Sequence, residues 1–155
     1  MVKIVTGKIN SFKTTRLLEH YQKDLLGDGF IAKKIMTHKQ VHSYNLVQLS
    51  TNEEIPFIIR DIYDDESKPI IYKLGPYHFY KSAFDFVEKK IYGFIKDGIS
   101  PIYLDEISLL ELEGLGYHQI LKKLVDKQID LCLVVREDLL PKVIEKYQLK
   151  DVEII

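Results

Sequence analysis

"TGKINSFKTT", residues 6–15, decides how the chain folds. It follows the apolar run Val2-Lys3-Ile4-Val5 and precedes Leu17-Leu18. A strand, a loop opened by glycine, Lys-Thr and then a helix is how a phosphate-binding loop of pattern G-x-x-x-x-G-K-[ST] is built. Gly7, Lys13 and Thr14 fall in register, but Phe12 stands at the second glycine. In such a loop the backbone N–H groups converge on phosphate oxygens at a helix N-terminus. The expected phosphate-binding residues are Gly7, Lys8, Ile9, Asn10, Ser11, Phe12, Lys13, Thr14 and Thr15.

The pattern on either side supports an α/β reading. Residues 2–6 read as a buried strand. Residues 13–26 read as a helix whose Leu17, Leu18, Tyr21, Leu25 and Leu26 share one face, with Gly27 or Gly29 as its stop. Residues 30–80 change character. Short β-rich runs at Phe30–Met36, Tyr44–Leu49, Ile55–Ile62 and Ile70–Leu74 alternate with turn-like pieces and predict an antiparallel insert of hairpins. Residues 82–97 return to helix, with Phe84, Val87, Ile91, Phe94 and Ile95 as the apolar stripe and Gly98 as the stop. Then come a strand at Ile102–Leu104, a loop and a helix to about Gln128, a strand at Leu131–Val135, a helix over 138–148 and a final strand at Val152–Ile155. Continuous apolar strands between helices indicate a mostly parallel sheet covered on both faces. The expected organisation is one domain over residues 1–155 with a β-rich insert at about 30–80.

Ligands of open α/β sheets sit at the carboxyl ends of the strands. Three such ends carry chemistry: the Gly7–Thr14 loop, then Asp105-Glu106, then Arg136. Lys13 would neutralise the β- and γ-phosphates of a nucleotide. The Thr14 hydroxyl would ligate Mg²⁺, and Asp105 would hold that ion through water. Glu106 is placed to polarise an attacking water. Arg136 would sense or stabilise the γ-phosphate.

Composition narrows the alternatives. The chain has 155 residues, 46% hydrophobic and 29% charged, with net charge -1 and no basic block. That argues against a dedicated nucleic-acid binder. No apolar run is long enough to cross a membrane, and the N-terminus reads as a strand, not a signal peptide. The single cysteine, Cys132, lies inside an apolar run, and a reducing cytoplasm fits it. His38 and His42 straddle a turn with no third ligand nearby. Tyr44, Tyr63, Tyr72, Tyr77 and Tyr80 cluster in the insert, where base stacking and strand packing explain them equally well.

Four segments carry a family resemblance: "IVTGKINSFKTTRLL" (4–18), "GFIAKKI" (29–35), "KLGPYHFYKSAFDF" (73–86) and above all "IYLDEISLLELEG" (102–114). The chain resembles the small P-loop nucleoside-triphosphatases first described from thermophiles, also labelled nucleotide-kinase-like. That resemblance implies Mg²⁺-dependent hydrolysis of ATP or GTP with low base selectivity. It also implies a RecA-like sheet in which another strand separates the loop strand from the Asp-Glu strand. The departures are Asn10 and Phe12 at family glycines, Ser108 for the glycine after Asp-Glu-Ile, and Lys33 and Lys34 where the hairpin is often acidic. Phe12 is the largest, because glycine there lets backbone approach phosphate without a Cβ in the way. It would narrow the site or hold the loop collapsed, its ring buried in the cradle or lying across it.

Three functions follow. The first is Mg²⁺-dependent nucleoside-triphosphate hydrolysis, favoured by Glu106 beside Asp105. The second is a degenerate nucleotide-binding or interaction protein, favoured by Phe12. The third is a nucleotide or small-molecule kinase. Against the third stands the scarcity of arginine, which occurs only at Arg16, Arg60 and Arg136, since bidentate phosphate clamping is arginine's work.

Overall fold

The apolar runs around Ile4, Leu104 and Leu133 have no polar face to give to water, so they fold into the middle of a sheet. The computed structural model describes residues 1–155. In chain order the elements are β1 (Val2–Gly7), α1 (Lys13–Asp24), β2 (Asp28–Thr37), β3 (Gln40–Gln48), β4 (Glu54–Arg60), a short 3₁₀ turn (Asp61–Tyr63), β5 (Ile70–Leu74), β6 (Tyr77–Tyr80), α2 (Lys81–Asp97), β7 (Ile102–Ile107), α3 (Leu109–Leu112), α4 (His118–Asp126), β8 (Leu131–Arg136), α5 (Leu140–Tyr147) and β9 (Val152–Ile154).

All nine strands join one sheet in the order β5-β6-β4-β3-β2-β7-β8-β1-β9. From β2 to β9 the pairings are parallel. From β2 outward to β5 they are antiparallel. The sheet is therefore mixed, and the hairpin insert continues it instead of standing apart. As expected, another strand, β8, separates the loop strand β1 from β7, which carries Asp105 and Glu106.

The two faces are covered unequally. The larger core cluster gathers Ile4, Leu104 and Leu133 with Phe84, Val87 and Phe94 of α2, Leu121 and Leu124 of α4 and Val143 of α5. The smaller gathers Val5, Tyr103, Cys132 and Val134 with Leu17 and Tyr21 of α1. A single helix thus supplies the second face.

The structure corrects several boundaries. Helix α1 ends at Asp24 with Leu25 in a left-handed conformation (φ 53°), so Leu25 and Leu26 lie exposed beyond its buried face. The helix stops a turn early because the chain must reverse into β2. Residues 61–63 form a turn, not strand. The four-residue strand β6, hidden among the tyrosines, inserts between β4 and β5. β7 runs through Asp105 and Glu106 instead of stopping before them. The helix before Gln128 is two helices, broken where Gly114 and Gly116 adopt positive φ of 80° and 61°.

Within the sheet, the antiparallel half pairs with the parallel half along β2–β7. There Gly29 (φ 154°) pairs with Tyr103. A Cβ at Gly29 would meet the Tyr103 carbonyl oxygen at 2.1 Å and its nitrogen at 2.6 Å. Beside it the buried Asp28 carboxylate accepts hydrogen bonds from the Gly29 N–H, the Gln48 amide, and the Ser50 N–H and hydroxyl. Gly29→Ala is therefore expected to destabilise the chain by about 3 kcal/mol, read as a lower urea midpoint. A change under about 0.5 kcal/mol would show that the two halves do not depend on this close approach.

Candidate functional site

The loop after β1 is short because Lys13 already begins α1. Two of its residues take the left-handed conformation, Asn10 (φ 60°) and Phe12 (φ 59°). These are the two positions at which the sequence departs from glycine. Asn enters this region readily; a residue such as Phe does so at a cost of about 1–2 kcal/mol. Phe12 is nevertheless held there as the residue before α1, its carbonyl accepting the Arg16 N–H at 3.0 Å. Its ring is 77% exposed, so it is not buried in the cradle.

Inside the loop, the Lys8 carbonyl accepts hydrogen bonds from Lys13 Nζ and Ser11 Oγ, each at 2.6 Å. Lys13 is buried, arching back over the loop it follows. Arg16 fixes the base of the loop by donating to the Thr6 carbonyl (2.8 Å) and the Ile155 carbonyl (2.7 Å).

The carboxylates face this loop across β8. Thr14 Oγ1 donates to Asp105 Oδ2 at 2.7 Å, and the Ala32 N–H of β2 donates to the same oxygen at 3.0 Å. Asp105 is only 2% exposed. Burial raises its carboxyl above the usual range, opposed by those two hydrogen bonds and the Lys13 charge. None of the ion pairs in the chain neutralises it. A buried carboxylate beside a hydroxyl, both hard oxygen donors and with no direct ion pair, suits a divalent cation such as Mg²⁺.

Glu106 is half-buried. Burial raises its carboxyl first and the Asp105 charge second, while Lys13 and Arg136 pull it down. Arg136 sits opposite Gly7 in the β1–β8 register. Its guanidinium is forked onto the Asp138 carboxylate through Nε and a terminal nitrogen. The structure thus gathers Lys13, Thr14, Asp105, Glu106 and Arg136 at one end of the sheet.

Three contributors escaped the sequence reading. Asp138 lay two residues past Arg136, and an R-x-D spacing was the available signal. Ala32 acts through its backbone N–H and leaves no side-chain signal. Lys34 reaches the loop, its Nζ donating to Asn10 Oδ1 at 3.2 Å, only because β2 lies beside β7. The insert's tyrosines mostly pack on one another and on their neighbours: Tyr44 against Tyr77, Tyr63 on His42, Tyr72 against Phe84. Tyr44 also lies toward the carboxylates; its phenol is pushed up to about 12 by burial, then by Tyr77 and Glu106.

A sequence model of the family described as NTPase matches residues 3–155. The chain belongs to the NTPase family. Its fold is that of P-loop proteins of this kind. The crystal structure of THEP1 from the hyperthermophile Aquifex aeolicus aligns with TM-score 0.67 at 15% identity, covering 100% of this chain and 88% of that one. The solution structure of a human cancer-related nucleoside triphosphatase aligns with TM-score 0.64 at 17% identity, covering 99% and 86%. No curated protein sequence matches the chain. No helix of this NTPase-family chain is long and apolar enough to cross a membrane.

Glu111 belongs to the frame of the site. It is 3% exposed. Its carboxylate accepts the Ser108 and Tyr117 N–H groups, each at 2.8 Å, which closes α3 in a capping box. Burial nevertheless raises its carboxyl to about 7. Unfolded, the group loses its proton near the ordinary glutamate value of 4.5. Between those values the folded chain holds the extra proton, so stability falls as pH rises and flattens above about 7. Glu111→Gln should remove this part of the slope, leaving the part due to Asp105 and Glu106, whose carboxyls burial also raises. Urea midpoints at pH 4.5, 6 and 7.5 test it; an unchanged slope in the variant would assign the titration elsewhere.

Proposed function

We propose that the chain binds a Mg²⁺–nucleoside triphosphate, ATP or GTP with low base selectivity, and hydrolyses its terminal phosphoanhydride. The observation that carries this is the contact between Thr14 and the buried Asp105, which has no ion-pair partner. Thr14 and Asp105 would hold the Mg²⁺. Bound there, the ion would offset charge on the β- and γ-oxygens. The backbone of residues 7–15 would cradle the phosphates, and Lys13 would leave the Lys8 carbonyl for a phosphate oxygen. Glu106, its carboxyl raised and held close to Lys13 and Arg136, would orient a water and accept its proton. Arg136, braced by Asp138, would keep Glu106 ionised and sense the γ-phosphate from the neighbouring strand end. The buried Cys132 fits a reducing cytoplasm.

The degenerate reading rests on Phe12, but its ring is exposed and the left-handed turn is already made. Strain present in both free and bound states cancels from the binding free energy. Phe12→Gly should therefore change Mg·ATP affinity by less than about threefold, within roughly 0.7 kcal/mol. A gain of about tenfold or more in calorimetry would mean that Phe12 obstructs the cradle and would favour the degenerate reading. The kinase reading has no clamp of its own, since Arg60 donates to the Val41 carbonyl and lies over Tyr77.

The decisive set is Lys13→Ala, Asp105→Asn and Glu106→Gln, assayed by calorimetry and phosphate release. Lys13→Ala should weaken binding by about 10²-fold or more. Asp105→Asn should weaken only the Mg²⁺-dependent part. Glu106→Gln should leave binding nearly intact and cut turnover by about 10²-fold or more. Full turnover in the Glu106 variant would remove it from the water-activating role, and unchanged affinity in the Lys13 variant would remove the loop from the site.

A further inference from the structure

Few cations face a triphosphate at the proposed site, and each arginine is already hydrogen-bonded to another acceptor. Arg16 is spent on the Thr6 and Ile155 carbonyls, Arg60 on the Val41 carbonyl and Arg136 on Asp138. A triphosphate brings several negative charges to a place already holding Asp105, Glu106 and Asp138. Against them stand Lys13, the proposed Mg²⁺ and Arg136, whose charge Asp138 already offsets.

Lys34 is a cation from outside the loop and α1 that touches the loop. Lys34 stands on β2, two residues past Ala32, so both side chains point to the same face of the strand. Ala32 holds Asp105 through its N–H, and Lys34 reaches across to the side chain of Asn10. The same short piece of strand thus grips both the carboxylate and the phosphate loop. Lys34 forms no ion pair; its ammonium is held only by a neutral amide oxygen at 3.2 Å. Exchange of that neutral acceptor for a phosphate oxygen would turn the contact into an ion pair, ionised on both sides. The direction of approach also matters. β2 flanks β7, on the Asp105 and Glu106 side of the loop, whereas β9 flanks β1 on the other. Asp105 and Glu106 mark the end where the terminal phosphate would lie.

We infer that Lys34 is the second phosphate-neutralising lysine of the site, leaving Asn10 to bind the terminal phosphate of a nucleoside triphosphate and so distinguishing triphosphate from diphosphate. The inference rests on the proposed nucleotide site. It gives the hairpin insert a part in recognition: its first strand supplies a further cation.

The test compares Mg·ATP and Mg·ADP affinities by calorimetry in wild type, Lys34→Met and Lys34→Arg, with Lys13→Ala alongside. Thermal melting of the nucleotide-free proteins checks that the exposed Lys34 is replaced without loss of fold. Lys34→Met should lose about tenfold in ATP affinity and less than twofold in ADP affinity, and its ATP binding should depend less steeply on salt. Lys34→Arg should restore the preference for ATP. Equal loss for both nucleotides, or no loss for either, overturns the inference while binding that is sensitive to Lys13 leaves the site itself standing. Failure of the wild type to bind either nucleotide overturns the site, and the inference with it.

Discussion

The hydrogen bond from the Thr14 hydroxyl to Asp105 is the constraint around which the rest of the chain is arranged. The two residues come from different segments and sit on either side of an intervening strand. They meet only because β1, β8 and β7 run parallel and in register, Val5 opposite Val134 and Leu104 opposite Leu133. The apolar runs that force these strands into the middle of the sheet therefore place the site. The β7–β8 ladder lapses between Leu104 and Ile107, so Asp105 and Glu106 fall where the strand no longer spends its backbone on its neighbour. Asp105 pays in desolvation for being there. A buried carboxylate without a direct ion pair costs several kcal/mol, a cost that a bound cation would offset.

The hairpin half takes part in the same arrangement. Asp28, Gly29 and Ala32 lie within five residues of β2. The first anchors the strand's start, the second brings it against Tyr103, and the third holds Asp105. Loosening β2 from β7 would release an acceptor at the candidate metal site as well as separating the two halves of the sheet. Glu111 performs a comparable service below the site, where it closes the turn after Ser108. Gly116 is needed there because a Cβ would meet the Glu111 carboxylate at 2.0 Å.

Much of this was legible in the sequence. The strand–loop–helix at residues 6–15, the Asp-Glu after an apolar run and the uninterrupted apolar strands named the fold class and gathered Lys13, Thr14, Asp105, Glu106 and Arg136. What the sequence left hidden came from topology and backbone. Ala32 acts through an N–H that every residue but proline has. Lys34 reads as a surface lysine until β2 is known to lie beside β7. Strand β6 is only four residues, Tyr77-His78-Phe79-Tyr80, whose pairing depends on partners distant in sequence. Leu25 and Leu26 keep the helical spacing of α1 yet lie outside it, because the chain turns before they could be used. Phe12 was legible as a departure, but the direction of its ring was not.

The central claim is that residues 6–15 still form a working phosphate cradle with phenylalanine at the second glycine. A crystal structure with Mg²⁺ and a non-hydrolysable ATP analogue tests it most directly. The account predicts phosphate oxygens on the N–H groups of the loop, the ion at Thr14 and Asp105, and Phe12 still left-handed with its ring outside the cradle. A nucleotide bound away from this loop, or a loop that must refold at Phe12 to admit it, would contradict the account.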